Sequence, residues 1–271
     1  MRCELHCHST CSDGTETPEQ VATRAAARKV EIFALTDHDT CAGSAAAIPA
    51  GARVLRGVEL SCDDPETGRT IHVLAYDRGH PGWADLATRI ASLGEARRNR
   101  LRVMTARLAQ RGIRIDVEPL LAATGRSVGR PDLARAMVKA GAVTSMKEAF
   151  SRHLYDGGPV DVPHHALSLP DALALGVAAD AALGLAHPHL YDDHGVRLLR
   201  QYRDQGLTGV EAFYGSYDPR ERARWIGVAD ELGLVCTGGS DWHGPDDATS
   251  QPGVDLPADR GARLVEWLTA S

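Results

Sequence analysis

Short apolar runs alternate along this chain with longer segments whose apolar residues recur every three or four positions. The runs Cys3–His8, Glu31–Thr36, Arg53–Leu60, Thr70–Tyr76, Leu183–Ala186, Gly209–Phe213 and Leu234–Thr237 read as strands. A helix is announced between the first two. Thr17 is its N-cap, Pro18 occupies the first helical position and Gln20 completes a capping box, with Val21–Lys29 as the body. Leu198–Gln205, Pro219–Leu232 and Asp259–Ala270 carry the same helical spacing. Repeated strand-then-helix order predicts a parallel sheet with helices outside, either doubly wound or closed into a barrel. From Trp83 to Ala149 the rhythm turns helical throughout. Ala87–Gln110 reads as one long amphipathic helix, followed by Pro131–Ala140 and Met146–His153. The pattern therefore divides the chain into an α/β body, residues 1–82 and 154–271, and a helical insertion, residues 83–153.

The chemistry gathers at the strand boundaries. His6 and His8 are two apart on one predicted strand, so both imidazoles face the same way. Asp13 follows in a Ser-Asp-Gly turn. The next strands end in Asp37-His38-Asp39 and in Glu59; another starts near His72; later ones end at His187, Glu211 and Asp241-Trp242-His243. In an α/β sheet or barrel, strand ends converge on one site. Imidazole and carboxylate together suit Zn, Mn or Fe. Glu59 can bridge two ions, and close metal pairs promote displacement at phosphorus. One His-x-His alone is weak evidence; three punctuated motifs at strand–loop junctions, with Glu59, His72 and His187, point to a metal site. Asp37, Asp39 and Glu211 read as residues that orient ligands.

Composition narrows the partners. The 271 residues carry 12 His, a net charge of −6 and only 5% aromatics, which argues against a broad nucleic-acid binder. The arginines at 97, 98, 100, 102 and 107 read as a charged solvent face of the long helix. No apolar stretch approaches the roughly 18 residues of a membrane span, and no signal peptide is visible. The six Cys form no Cys-x-x-Cys pair. Cys3, Leu5 and Cys7 alternate as one buried strand face, and a reducing, cytoplasmic setting is expected.

The segments HCHSTCSDGT, ALTDHDT, GVELS, HVLAY, LAHP and GGSDWHG resemble the successive motifs of the PHP (polymerase and histidinol phosphatase) family, over residues 2–244. GRPDLARAMVKAGAV and AFSRHLYDGGPVDVP resemble the helical insertion of one branch. That branch contains nucleoside 3′,5′-bisphosphate phosphatases, 5′→3′ exoribonucleases and cyclic-phosphate hydrolases. The resemblance implies a distorted (β/α)7 barrel holding three divalent ions of Mn, Fe or Zn. It implies that His6, His8, Glu59 and Asp241 hold the first ion. Glu59, His72 and His187 would hold the second, and Asp13, His38 and His243 the third. Glu59 and Asp241 would thereby serve catalysis, a metal-bridged hydroxide attacking phosphorus. His189, two residues past His187, is the candidate proton donor. Arg130 at a predicted helix start is the candidate phosphate clamp, with His153 a second substrate contact and His164 and His165 further possible ones. Relatives read Arg-Pro-His where this chain has Arg130-Pro131-Asp132, and an Asp132 facing the site would repel a phosphate. The expected activity is hydrolysis of a small phosphorylated metabolite, a nucleotide or sugar phosphate. The alternatives are a cyclic phosphodiesterase, a 5′→3′ exonuclease on short oligonucleotides, or a non-catalytic metal-binding module. Neither a membrane nor an obligate protein partner is expected.

Overall fold

The computed structural model describes residues 1–122, 126–155, 157–162, 167–245 and 251–270. In chain order its strands are β1 (Arg2–Glu4), β2 (Ile32–Leu35), β3 (Arg53–Asp63), β4 (Thr70–Tyr76), β5 (Leu167–Ser168), β6 (Ala182–Leu185), β7 (Leu207–Tyr214), β8 (Val235–Gly239) and β9 (Val254–Asp255). They form one nine-stranded sheet in the order β8-β7-β6-β4-β3-β2-β1-β9, with β5 paired to β3. The sheet curls until its ends meet. The Leu5 N–H donates to the Gly238 carbonyl at 3.2 Å, the Asp241 N–H to His6 at 2.8 Å and the His8 N–H to Trp242 at 2.8 Å. The expected barrel is thus present, with helices packed around it.

The sheet is not wholly parallel. β4 runs antiparallel to both β3 and β6, and β9 antiparallel to β1. The connection from β3 to β4 explains the first reversal. Only residues 64–69 join them, whereas a parallel crossover needs a dozen or more. The reversal has a functional consequence: a residue near the start of β4 lies at the rim where β3 ends. His72 pairs with Ser61, two residues past Glu59.

The first helix, Pro18–Ala27, starts as its sequence dictates. Gln20 N–H donates to the Thr17 hydroxyl at 3.4 Å, and Thr17 N–H donates to the Gln20 side chain at 2.8 Å. The long helix expected over Ala87–Gln110 is instead two, Trp83–Ala91 and Gly94–Gln110. At the break the Ser92 hydroxyl donates back to the Arg89 carbonyl at 2.6 Å, a local bond that competes with helix continuation. The two pieces pack differently. Trp83, Leu86 and Ile90 are buried in the barrel core, with Leu60, Tyr76 and Leu173. Leu101, Met104 and Leu108 belong to a separate cluster with Leu133, Met137 and Leu154. The segment expected as a helix over Met146–His153 is a helical turn, Met146–Ala149, that widens into a π-turn, Phe150–Leu154. A helix at Leu169–Ala178, capped by Ser168, was not legible as a distinct element. Among the described residues no helix is long and apolar enough to cross a membrane. The described cysteines are free thiols, with Cys3, Leu5 and Cys7 fully buried.

Candidate metal centre

The chain just past β1 carries His6 and His8 into the barrel, both with no exposed surface. β8 must come close to place them. A Cβ at Gly239 would collide with the Cβ and backbone nitrogen of His6, so only glycine fits there. Past β8 the backbone of Asp241 takes a φ of 54°, and His187 past β6 takes 28°. Non-glycine residues in this region store strain, and both side chains are turned into the same site. Asp39, next to His38, has a φ of 47°, and its carboxylate accepts the Ser61 N–H at 2.9 Å.

Glu59 is the hub. Its Oε2 lies 3.2 Å from His6 Nε2, 3.2 Å from His8 Nε2 and 3.1 Å from His38 Nδ1. Its Oε1 lies 2.9 Å from His72 Nδ1 and 3.0 Å from His187 Nε2, and those two ring nitrogens are 3.1 Å apart. Asp241 Oδ1 is 3.3 Å from His6 Nε2 and 3.1 Å from His8 Nε2. Asp13 gathers His243, His8 and His38 at 3.3, 3.6 and 3.8 Å. All nine residues expected as ligands are therefore brought together. They form four overlapping groups: His8-Asp13-His38-His243, His6-His8-Asp241, His6-Glu59-His187 and His38-Glu59-His72.

These donors fit divalent cations. His6 Nε2, His8 Nε2, His38 Nδ1 and Glu59 Oε2 are buried without a hydrogen-bond partner although they lie close together. Buried polar atoms need a partner, and a shared cation supplies one. Ligands about 2.0–2.2 Å from one ion stand roughly 3–3.5 Å apart, the spacing seen here. The charges agree. Burial alone would push the Glu59 carboxyl up, but His38, His6 and His72 outweigh it and hold it well below the usual range. Asp13 and Asp241 are held low in the same way. Burial, with His8 and His72, outweighs Glu59 and Asp13 and lowers the His38 pKa to about 3, which keeps its ring neutral. For His8 burial is outweighed by the adjacent carboxylates of Asp241, Glu59 and Asp13, which raise its pKa to about 10.

A second set of groups fixes the first. Glu211 on β7 accepts from His6 Nδ1 at 3.0 Å and from the His187 N–H at 2.8 Å, so it fixes both residues in the site. Asp37 accepts from the hydroxyls of Ser9 and Ser12 at 2.7 and 2.5 Å, steadying the turn that carries Asp13. Tyr214, not singled out in the sequence, donates to Asp241 Oδ2 at 2.9 Å. The only sequence signal for it is an aromatic residue three past Glu211 on the same strand.

A cavity of about 150 Å³ opens over Asp13, His38 and His72. Its far wall comes from the insertion and includes Arg97, Arg100 and Arg130. Arg97 overturns the solvent-face expectation: it is buried against Asp39 and donates to the Ser61 hydroxyl at 2.9 Å. Burial lowers its pKa to about 10, leaving it cationic at neutral pH. Arg102, by contrast, keeps the expected exposed position, paired with Glu95 and Glu118. Arg130 begins the helix Arg130–Lys139 at the cavity wall, the position expected of it. Asp132 does not line the cavity. Its carboxylate is buried, accepts the Gly129 N–H at 2.9 Å and pairs with Arg126 and Arg135, so it cannot repel a bound anion directly. His153 is not among the cavity-lining residues either; the charges around it are Arg152, Arg111 and Glu148. His189 stands beside the ligands, 6.4 Å from His187 between ring centroids, with Nδ1 3.0 Å from the Tyr217 hydroxyl. Burial and His187 hold its pKa below the ordinary value. His164 and His165 lie outside the described residues.

The same motifs and fold occur in known proteins. The chain is 36% identical to the 3′,5′-nucleoside bisphosphate phosphatase of Chromobacterium violaceum, over 94% of this chain and 92% of the relative. It is 35% identical to the phosphoribosyl 1,2-cyclic phosphate 1,2-diphosphodiesterase of Eggerthella lenta, over 94% of this chain and 99% of the relative. An amidohydrolase from Chromobacterium violaceum, solved with bound sulfate and no metal, superposes with a TM-score of 0.83 at 34% identity, covering 96% of each chain. The PHP domain model matches residues 4–155, the stretch that carries His6, His8, Asp13, His38, Glu59 and His72, and the chain belongs to the PHP domain family.

Proposed function

We propose that this chain hydrolyses a phosphate ester of a small metabolite, a nucleotide or sugar phosphate, with three divalent ions of Mn, Fe or Zn. The observation that carries this reading is the convergence of ring nitrogens and carboxylates on Glu59 beneath an arginine-lined cavity. His6, His8, Glu59 and Asp241 would hold the first ion, Glu59, His72 and His187 the second, and Asp13, His38 and His243 the third. Bound there, such ions supply a water nucleophile at neutral pH and neutralise charge on the phosphoryl oxygens.

The chain's own residues do the rest. Arg130, Arg97 and Arg100 draw the anionic substrate into the cavity and orient it against the rim. The cavity's volume of about 150 Å³ suits a small ligand rather than a folded nucleic acid. Three guanidinium groups there also suit a substrate that bears a second anionic group. Burial and His187 hold the His189 pKa down, which favours the neutral ring in the free protein. A phosphate anion nearby raises the pKa of an imidazole, so His189 becomes a proton donor to the leaving oxygen once substrate binds. A cyclic phosphodiester is the second reading, favoured by the equal likeness to the Eggerthella lenta diphosphodiesterase.

Phosphate release by the Mn-loaded protein, with elemental analysis of the same sample, tests this. The panel spans adenosine 3′,5′-bisphosphate, 5′-mononucleotides, sugar phosphates, cyclic phosphates and short RNA. Strong turnover of one small compound is expected, with His189→Asn depressing kcat. Inertness together with no bound metal would overturn the catalytic reading.

A further inference from the structure

The carboxylate of Asp13 binds three imidazoles, yet its own chain is a short turn between His8 and the first helix. Asp37 steadies that turn through the side chains of Ser9 and Ser12, and the insertion holds its carbonyls. The Arg126 Nε–H donates to the Ser12 carbonyl at 2.9 Å. Arg135 donates to the Asp13 carbonyl itself. Ser127 N–H donates to the Cys11 carbonyl at 2.8 Å. Three consecutive carbonyls of the ligand-bearing turn are thus held by one short stretch of the insertion.

Asp132 ties this brace together. One carboxylate oxygen takes both guanidinium groups, Arg126 and Arg135. The other accepts the Gly129 N–H at 2.9 Å, fixing the start of the helix Arg130–Lys139. The Asp132 side chain is only 1% exposed while Arg126 and Arg135 keep 23% and 33% of theirs, so the carboxylate is the desolvated member of these pairs. Among the described residues, the only hydrogen-bond donor to the Asp13 carboxylate besides imidazoles is the Ser12 hydroxyl at 3.4 Å.

We propose that Asp132 is a positioning residue for the His8-Asp13-His38-His243 group, acting through Arg126 and Arg135. The insertion then completes the metal centre as well as covering it. The groups around Glu59 do not depend on this brace, because Glu59 and His72 sit on β3 and β4 and His187, just past β6, is held by Glu211. The inference rests on the metal-centre reading and goes beyond it by assigning one ligand group to the insertion.

The test is a Co²⁺ titration of the chelated full chain, counting ions by elemental analysis and by visible absorption. Asp132→Asn keeps the shape and removes the charge. Loss of an orienting group around a ligand weakens metal affinity about 10–100-fold. That weakening is expected for one class of ion alone, with the other ions unchanged. Arg126→Gln should reproduce the pattern, and it serves if Asp132→Asn fails to fold. Equal weakening of every ion, or none, would overturn the proposal while leaving the metal centre standing. A native chain that binds no Co²⁺ would overturn both.

Discussion

Glu59 touches five imidazoles through two oxygens, so its charge matters more than its shape. Glu59→Gln keeps the shape. It should cut the metal content of the purified protein and abolish turnover, read by elemental analysis beside a phosphate-release assay; full activity with a full metal complement would remove the bridging role. Most of this site was legible residue by residue, for a physical reason. Strand alternation forces His6 and His8 onto one face, and strand ends of such a sheet converge. Residues that act through tertiary contact had no such local signature. Arg97 lies on a helix among four other arginines, and only the packing of that helix against Asp39 distinguishes it from Arg102. Asp132 was readable as a residue type but not as a partner, because Arg126 and Arg135 reach it only in the folded insertion.

At the scale of elements, the loop joining β8 to the last helix carries two ligands, Asp241 and His243, with Trp242 between them pointing the other way. Trp242 packs with Val21, Phe33 and Leu35, and its indole N–H donates to Glu16 at 3.1 Å. Arg24 grips the same carboxylate at 2.6–2.8 Å. Arg24, aided by Trp242, holds the Glu16 carboxyl below its ordinary value despite some burial. The folded chain therefore binds fewer protons at Glu16 than the unfolded chain does in mild acid. The resulting stability is fully present above the unfolded pKa of about 4.3 and disappears as pH falls through the lowered folded value. Glu16→Gln should lower stability near pH 7 by about 1.5 kcal/mol, the low end for charged hydrogen bonds because Arg24 is partly exposed. The difference from the native chain should shrink below pH 4 in denaturant titrations. An identical deficit at pH 3 and pH 7 would assign it to packing rather than charge. Elements themselves were read unevenly. Capped helices with clear periodicity, such as Pro219–Leu232, matched their sequence signals. The antiparallel β4 was missed although a connection of only six residues already forbids a crossover; periodicity reports a strand but not its direction.

Over the whole molecule, the barrel concentrates at its rim charges that the unfolded chain would leave in water. Glu59 and His6 are fully buried, Asp13 and His187 nearly so, and Asp241 mostly. Composition could suggest this only through an excess of His; the closure that gathers the ligands depends on contacts such as Leu5 with Gly238, far apart in sequence. Divalent cations would satisfy the orphaned ring nitrogens and offset the carboxylates, and they bind the folded chain because only folding assembles the groups. Ligands of the native state stabilise it by about 4 kcal/mol at a thousandfold excess over Kd. For a chain of this size that corresponds to a Tm change on the order of 10 °C. Removing metal with a chelator should therefore lower the Tm of the native chain by about that much, and added Mn²⁺ should restore it. Glu59→Gln should start near the chelated value and respond little to Mn²⁺. The comparison separates a cluster of buried ions from an ion pair network that needs none. If the ligands satisfied one another without metal, chelation would leave calorimetric melting unchanged, and Glu59→Gln would lower the Tm equally with and without chelator.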